Sequence, residues 1–190
     1  LMLSAGLNEI QTSSLIGKSL LDRYRMSFDE ENAVKVQNPA SEEYSMLRQT
    51  LAASVLNCMK YNFDNGQKTF WAYEIGRTYK KVSEADEKFS GVKETQVLEG
   101  VLTGEVQNSK WQTPAKTDFF TVKGIIENLL EDLEITRRIK VVPFEETELA
   151  NTHKIFHPYR TAVIMLLGKK LEPIGYFGQI HPTLQDKLKL

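Results

Sequence analysis

Between Asp118 and Leu133 the apolar side chains Val122, Ile125, Ile126, Leu129, Leu130 and Leu133 recur at spacings of three and four. Only an α-helix lines up such a series on one face, so this stretch must be a helix with something apolar to lie against. Asp118 stands where an N-cap belongs, with its carboxylate at the positive end of the helix dipole. A second stripe, Leu51, Val55, Leu56, Met59 and Phe63, predicts another helix over 51–65. Thr50 is its expected N-cap and Asn65-Gly66 its left-handed stop.

Between and after these helices the pattern changes period. Thr69–Lys80, with Phe70, Trp71, Tyr73, Ile75 and Tyr79, reads as a strand, as do Gln96–Val106 and Ile139–Phe144. Thr161–Leu167 and Leu171–Gln179 flank Gly168-Lys169-Lys170 and form a hairpin. Asn8–Ser14 is a further expected strand after a turn at Gly6. Lys35–Gln37 is a short one ended by Asn38-Pro39, and Ser19–Arg25 is a short helix. Ser83–Lys93 and Gln107–Lys116 read as connections, the latter holding Trp111 and Pro114. Leu1–Ala5 resembles the end of a helix and Pro182–Leu190 the start of one, with Pro182 near the first helical position, as if a longer chain had been trimmed at both ends. The sum is an α+β fold, an antiparallel sheet flanked by helices, with residues 1–190 forming a single module.

The 190 residues carry 24 basic and 25 acidic side chains, a net charge of −1, which does not mark a phosphate-gripping surface. The C-terminal part is locally basic: Lys154, Arg160, Lys169, Lys170, Lys187 and Lys189 face only Glu172 and Asp186. The single cysteine, Cys58, excludes an internal disulfide and fits a reducing, cytoplasmic setting. No apolar run reaches the roughly 20 residues of a membrane span, and no signal-peptide pattern is present, so no membrane partner is expected.

A search for chemistry finds little. His153 and His157 have zinc-ligand spacing, but Pro158 follows and no third ligand stands near, so a metal is not expected. Glu145, Glu146 and Glu148 read as a solvated turn rather than an acid–base pair. Cys58 sits beside an apolar stripe with nothing to lower its pKa. Neither a GxSxG elbow nor a phosphate-cradling glycine loop is present. No catalytic residue is expected.

Four stretches carry a resemblance. These are NPASEEYSMLRQTL from Asn38, FWAYEIGRTY from Phe70, DFFTVKGIIENLL from Asp118 and HPYRTAVIMLLGKKLEPIGYFGQIHPTLQDKLKL from His157. In this order and spacing the chain resembles the β subunit of bacterial phenylalanyl-tRNA synthetase, at the catalytic-like module near its C-terminal half. The resemblance implies a class II aminoacyl-tRNA synthetase-like core. It also implies a non-catalytic role, pairing with the catalytic α subunit in an α2β2 enzyme that joins phenylalanine to tRNA(Phe). ATP and Mg2+ would then serve the assembled enzyme, with no cofactor in this chain. Class II enzymes hold ATP with an arginine in an RxE strand and another in a Gly-rich motif. Here Glu74-Ile75-Gly76-Arg77 has no RxE, and Gly175–His181 lacks the arginine.

The resemblance leaves Asn38, Ser41, Glu42, Glu43, Tyr44 and Arg48 as candidate residues of the subunit interface or organisers of the loop before the first strong helix. A capped surface turn is the alternative. Gly124, inside a helix, costs about 1 kcal/mol relative to Ala and is expected to allow close helix–sheet approach. Competing functions are a tRNA-binding module using the basic C-terminal part and a divergent stand-alone ligase. The first requires steeply salt-dependent binding and the second amino-acid activation by the chain alone.

Overall fold

The computed structural model describes residues 1–82, 91–106, 113, 115–147 and 155–189. His153, Lys154, Glu148, Trp111 and Pro114 lie outside this set, as does most of the expected connection 83–93. The chain divides into two compact units. One comprises Leu1–Asn8, Lys68–Phe70 and Leu102–Leu190, and the other Glu9–Gln67 and Trp71–Val101. The strands are β1 (Asn8–Glu9), β2 (Leu15–Ile16), β3 (Met46–Leu47), β4 (Phe70–Lys81), β5 (Val92–Thr103), β6 (Ile139–Pro143), β7 (Phe156–Leu166) and β8 (Glu172–Ile180). The helices are α1 (Lys18–Arg23), α2 (Ala52–Asp64), α3 (Phe119–Asp132) and α4 (Pro182–Leu188). None of them is long and apolar enough to cross a membrane.

The first unit is built on β6, β7 and β8, with β7 in the middle and antiparallel to both neighbours. A central strand covered on both faces needs no polar alternation, which explains the unbroken run Ala162-Val163-Ile164-Met165-Leu166. One face packs α3, where Leu130, Ala162, Ile164 and Phe177 form a buried cluster with Phe119, Val122 and Ile126 against it. The Phe119 and Phe177 rings stack at 5.5 Å. On the same unit Phe144, Phe156 and Tyr176 meet edge to face. Asp118 caps α3 as its sequence position requires, accepting from the Thr121 N–H at 2.8 Å, while Thr121 returns a bond to the Asp118 N–H. His181 caps α4 through Nδ1, Pro182 takes the first helical position, and Leu184 and Leu188 are buried.

In the second unit α2 buries Ala52, Ala53, Val55, Leu56 and Met59. Phe63, also on the expected stripe, is not among its buried residues, so the burial ends at Met59. The cap is displaced by one residue from the expectation. Leu51 occupies the cap position with helical backbone angles, yet the Thr50 hydroxyl still accepts from the Ala52 N–H at 3.2 Å. Gly66, at φ +94°, closes the helix with the Gln67 N–H donating to the Asn62 carbonyl at 3.0 Å. The short strands β2 and β3 pair antiparallel, and β4 lies between β1 and β5.

The mixed α+β content matches the patterning. The single flanked antiparallel sheet is seen only in part, because the described strands divide among sheets of three, two and three. Asn8–Ser14 joins a ladder only at β1, and Lys35–Gln37 amounts to one bridge, Lys35 with Met46. The strand expected over Gln96–Val106 starts earlier, at Val92, because Val92–Thr95 is polar on the exposed side and carries little periodic signal. Leu1–Ala5 forms turns rather than a helix. They close like a helix C-terminus: the Leu7 N–H donates to Met2 and the Gly6 N–H to Leu3, with Gly6 at φ +89°.

Gly124 overturns its expectation. Apart from its chain neighbours and the helix's own backbone, no atom of the described residues comes within 4 Å of where its Cβ would stand, so close packing does not explain this glycine. Gly124→Ala should therefore raise stability by about 1 kcal/mol, read as a higher thermal midpoint with unchanged circular dichroism.

Candidate functional site

Arg48 immediately follows β3, and its side chain is only 3% exposed. A guanidinium cannot shed its charge, so burial is tolerable only if its donors are occupied and a carboxylate is in contact. Glu74, on β4 and 2% exposed, supplies that carboxylate: Nη2 lies 2.9 Å from Oε1. Nε donates to the Arg77 carbonyl at 3.0 Å, and Nη1 donates to Thr12 Oγ1 at 2.9 Å and to the Thr12 and Ser13 carbonyls at 3.4 Å. The Thr12 hydroxyl then donates to Glu74 Oε2 at 2.6 Å. The ring Arg48–Thr12–Glu74 is closed, and it ties the segment before β2 to β4. Gly76 is obligatory beside it, since a Cβ there would overlap the Arg48 guanidinium and crowd the Glu74 carboxylate.

The six residues singled out by sequence separate here. Arg48 is buried, whereas Asn38, Ser41, Glu42, Glu43 and Tyr44 are exposed. Ser41 precedes a short 3-10 turn, Glu42–Tyr44, whose closure uses the Tyr44 N–H to the Ser41 carbonyl and the Ser45 hydroxyl to the Glu42 carbonyl. Arg48 makes side-chain-to-backbone bonds to the Thr12, Ser13 and Arg77 carbonyls, outside its own loop, and its carboxylate is Glu74. Sequence reasoning passed over Glu74. The available signal was a glutamate among Trp71, Ala72 and Tyr73, all buried on β4. It also passed over Gly17, whose Cβ would lie 2.5 Å from the Glu42 carbonyl oxygen, so that glycine lets the turn rest against the start of α1.

The remaining candidates stay apart. His157 Nδ1 accepts from the Tyr159 N–H at 3.1 Å, and the described residues hold no cluster of three or more potential metal ligands. Glu145 and Glu146 are exposed on a turn at Phe144–Glu146. Burial, with the Glu74 charge adding to it, pushes the Cys58 thiol up, the opposite of nucleophile activation. Arg160 donates to Gln179, Lys169 and Lys170 sit at the β7–β8 turn, and Lys187 lies in the last turn of α4. Arg48 is committed to Glu74 and to backbone carbonyls, and Arg77 pairs with Glu94 at 2.7 Å on the exposed side of β4.

This fold is shared with aminoacyl-tRNA synthetases. Pyrrolysyl-tRNA synthetase structures from Desulfitobacterium hafniense superpose on it with TM-scores of 0.62 and 0.61. They are 17% and 18% identical, and the match covers 100% of this chain and 56% and 60% of theirs. The family is narrower than the fold. Residues 1–190 match the phenylalanyl tRNA synthetase beta chain CLM domain, and the chain belongs to that family. The phenylalanine–tRNA ligase beta subunit of Listeria innocua is 35% identical over 187 residues, 98% of this chain and 21% of that one. Those of Bacillus cereus and Prochlorococcus marinus are 34% and 32% identical over 97% of this chain. The chain spans about a fifth of the length of these relatives.

Two outcomes follow from the geometry. Arg48→Ala or Glu74→Ala should each cost about 3–5 kcal/mol in urea unfolding, because each strands a buried charge. Arg48→Met with Glu74→Leu should cost much less than the sum. Glu99, half-buried on β5, has its carboxyl pushed up to about 7 by burial alone. The native state then holds a proton that the unfolded chain releases, so stability falls as pH rises from about 4.5 to about 7. Glu99→Gln should flatten that fall, measured by urea midpoints across this range.

Proposed function

We propose that this chain is the catalytic-like module near the C-terminal half of a phenylalanyl-tRNA synthetase β subunit. It acts as one non-catalytic assembly module that holds the catalytic α subunit in a cytoplasmic α2β2 enzyme. That enzyme attaches phenylalanine to tRNA(Phe) with ATP and Mg2+, and the chemistry belongs to the assembly. The match of residues 1–190 to the β-chain family carries this reading. The engagement of Arg48 by Glu74 supports the non-catalytic part, because an arginine bonded on every side inside the protein is not free to meet phosphate.

Of the two roles open to the Asn38–Arg48 segment, loop organisation has the better support. Arg48 fixes the segment's end by bonds to backbone carbonyls, and the turn Glu42–Tyr44 closes on itself. Two measurements test the proposal together. The full-length chain mixed with its cognate α subunit should co-elute as one complex, and without α it should give no phenylalanine-dependent ATP–pyrophosphate exchange. Separate elution, or exchange by the chain alone, would overturn it.

A further inference from the structure

The second unit holds a cleft of about 390 Å³ between α1, α2 and the Glu42–Tyr44 turn. That volume lies within the range of small-molecule sites. Its walls are set by features already described. Thr12 and Ser13 line it and are bonded to Arg48, and Gly17 lines it and is in backbone contact with the turn. A ligand would meet a preformed surface and lose little in ordering it.

The lining chemistry is specific. Arg23 is the one cation among the described residues that line the cleft. Its Nη1 donates to Asn57 Oδ1 at 3.2 Å, and the same oxygen accepts from the Tyr24 hydroxyl at 3.1 Å. Among the described residues no carboxylate pairs with Arg23, in contrast to Arg48, Arg77, Lys60 and Lys80. Arg23 also bonds the Tyr24 hydroxyl, and a guanidinium held by one amide and one hydroxyl keeps further donors for a planar two-oxygen acceptor. Leu15, Leu20 and the exposed rings of Tyr44 and Tyr61 supply apolar wall. Glu43 also lines the cleft, and its charge disfavours a dianion such as a phosphate monoester more than a singly charged carboxylate.

We infer that this cleft binds a compact amphipathic monocarboxylate, its carboxylate on Arg23 and its apolar body against Leu20, Tyr44 and Tyr61. This site borders the Arg48–Thr12–Glu74 ring, with which it shares Thr12, and goes beyond the assembly reading.

Cys58 lines the same cleft and provides the readout. The full-length chain, alone and bound to its α subunit, is alkylated with N-ethylmaleimide, and the Cys58 peptide is followed by mass spectrometry. The probes are 3-phenylpropionate, its neutral amide and phenyl phosphate. The carboxylate should slow labelling in a saturable way, and the amide should not. Arg23→Gln should weaken protection by about tenfold, and Arg23→Lys, which keeps the charge but loses the fork, by less. Phenyl phosphate should protect poorly, and better in Glu43→Gln. Equal protection by acid and amide, unchanged protection in Arg23→Gln, stronger protection by phenyl phosphate than by the carboxylate, or none up to about 10 mM in either form of the protein would overturn the assignment. Arg23 is exposed, so its variants should melt as the parent does. The α-subunit co-elution is read on the same samples, so failure of the cleft and failure of the assembly reading are distinguishable.

Discussion

A guanidinium in a water-free interior needs a carboxylate within contact distance, and in the second unit that requirement joins three separated stretches of chain. Arg48 leaves β3, Glu74 sits on β4, and Thr12 precedes β2; all three close on one another within 2.6–2.9 Å. The segment before β2 cannot shift, and Gly76 cannot acquire a side chain, without breaking this ring. Replacing a buried pair with apolar residues is often neutral for stability. Its value here lies in register: hydrophobic contacts alone would let the short strands β2 and β3 slide, and a bonded arginine does not.

The same ring bears on function. In this chain the arginine is turned inward and bonded throughout. The polar side chains of the Asn38–Tyr44 stretch, singled out by the sequence, are exposed, on a segment that rests on Gly17 and borders a cleft.

The first unit follows simpler rules. A central strand with both faces covered, a helix with one apolar stripe and a stacked Phe119–Phe177 pair account for its core. Local signals of this kind survive in sequence because each depends on neighbours three or four positions away. The Asp118 cap, the Gly66 stop, the β7–β8 hairpin and the His181-Pro182 helix start were all readable for that reason. The division of strands into separate sheets was not, because strand partnering is set by contacts far apart in sequence.

Sequence by itself determined the types of the longer elements, most of their boundaries, and the family, which rests on four motifs in fixed order. It also singled out Arg48. Only the tertiary structure decided that the partner of Arg48 is Glu74, that Gly76 and Gly17 are there for close approach, and that Gly124 is not. The physical reason is range. Periodicity and capping are encoded within one or two turns of chain, whereas an ion pair, a backbone contact or an open space beside a glycine exists only once distant segments have met.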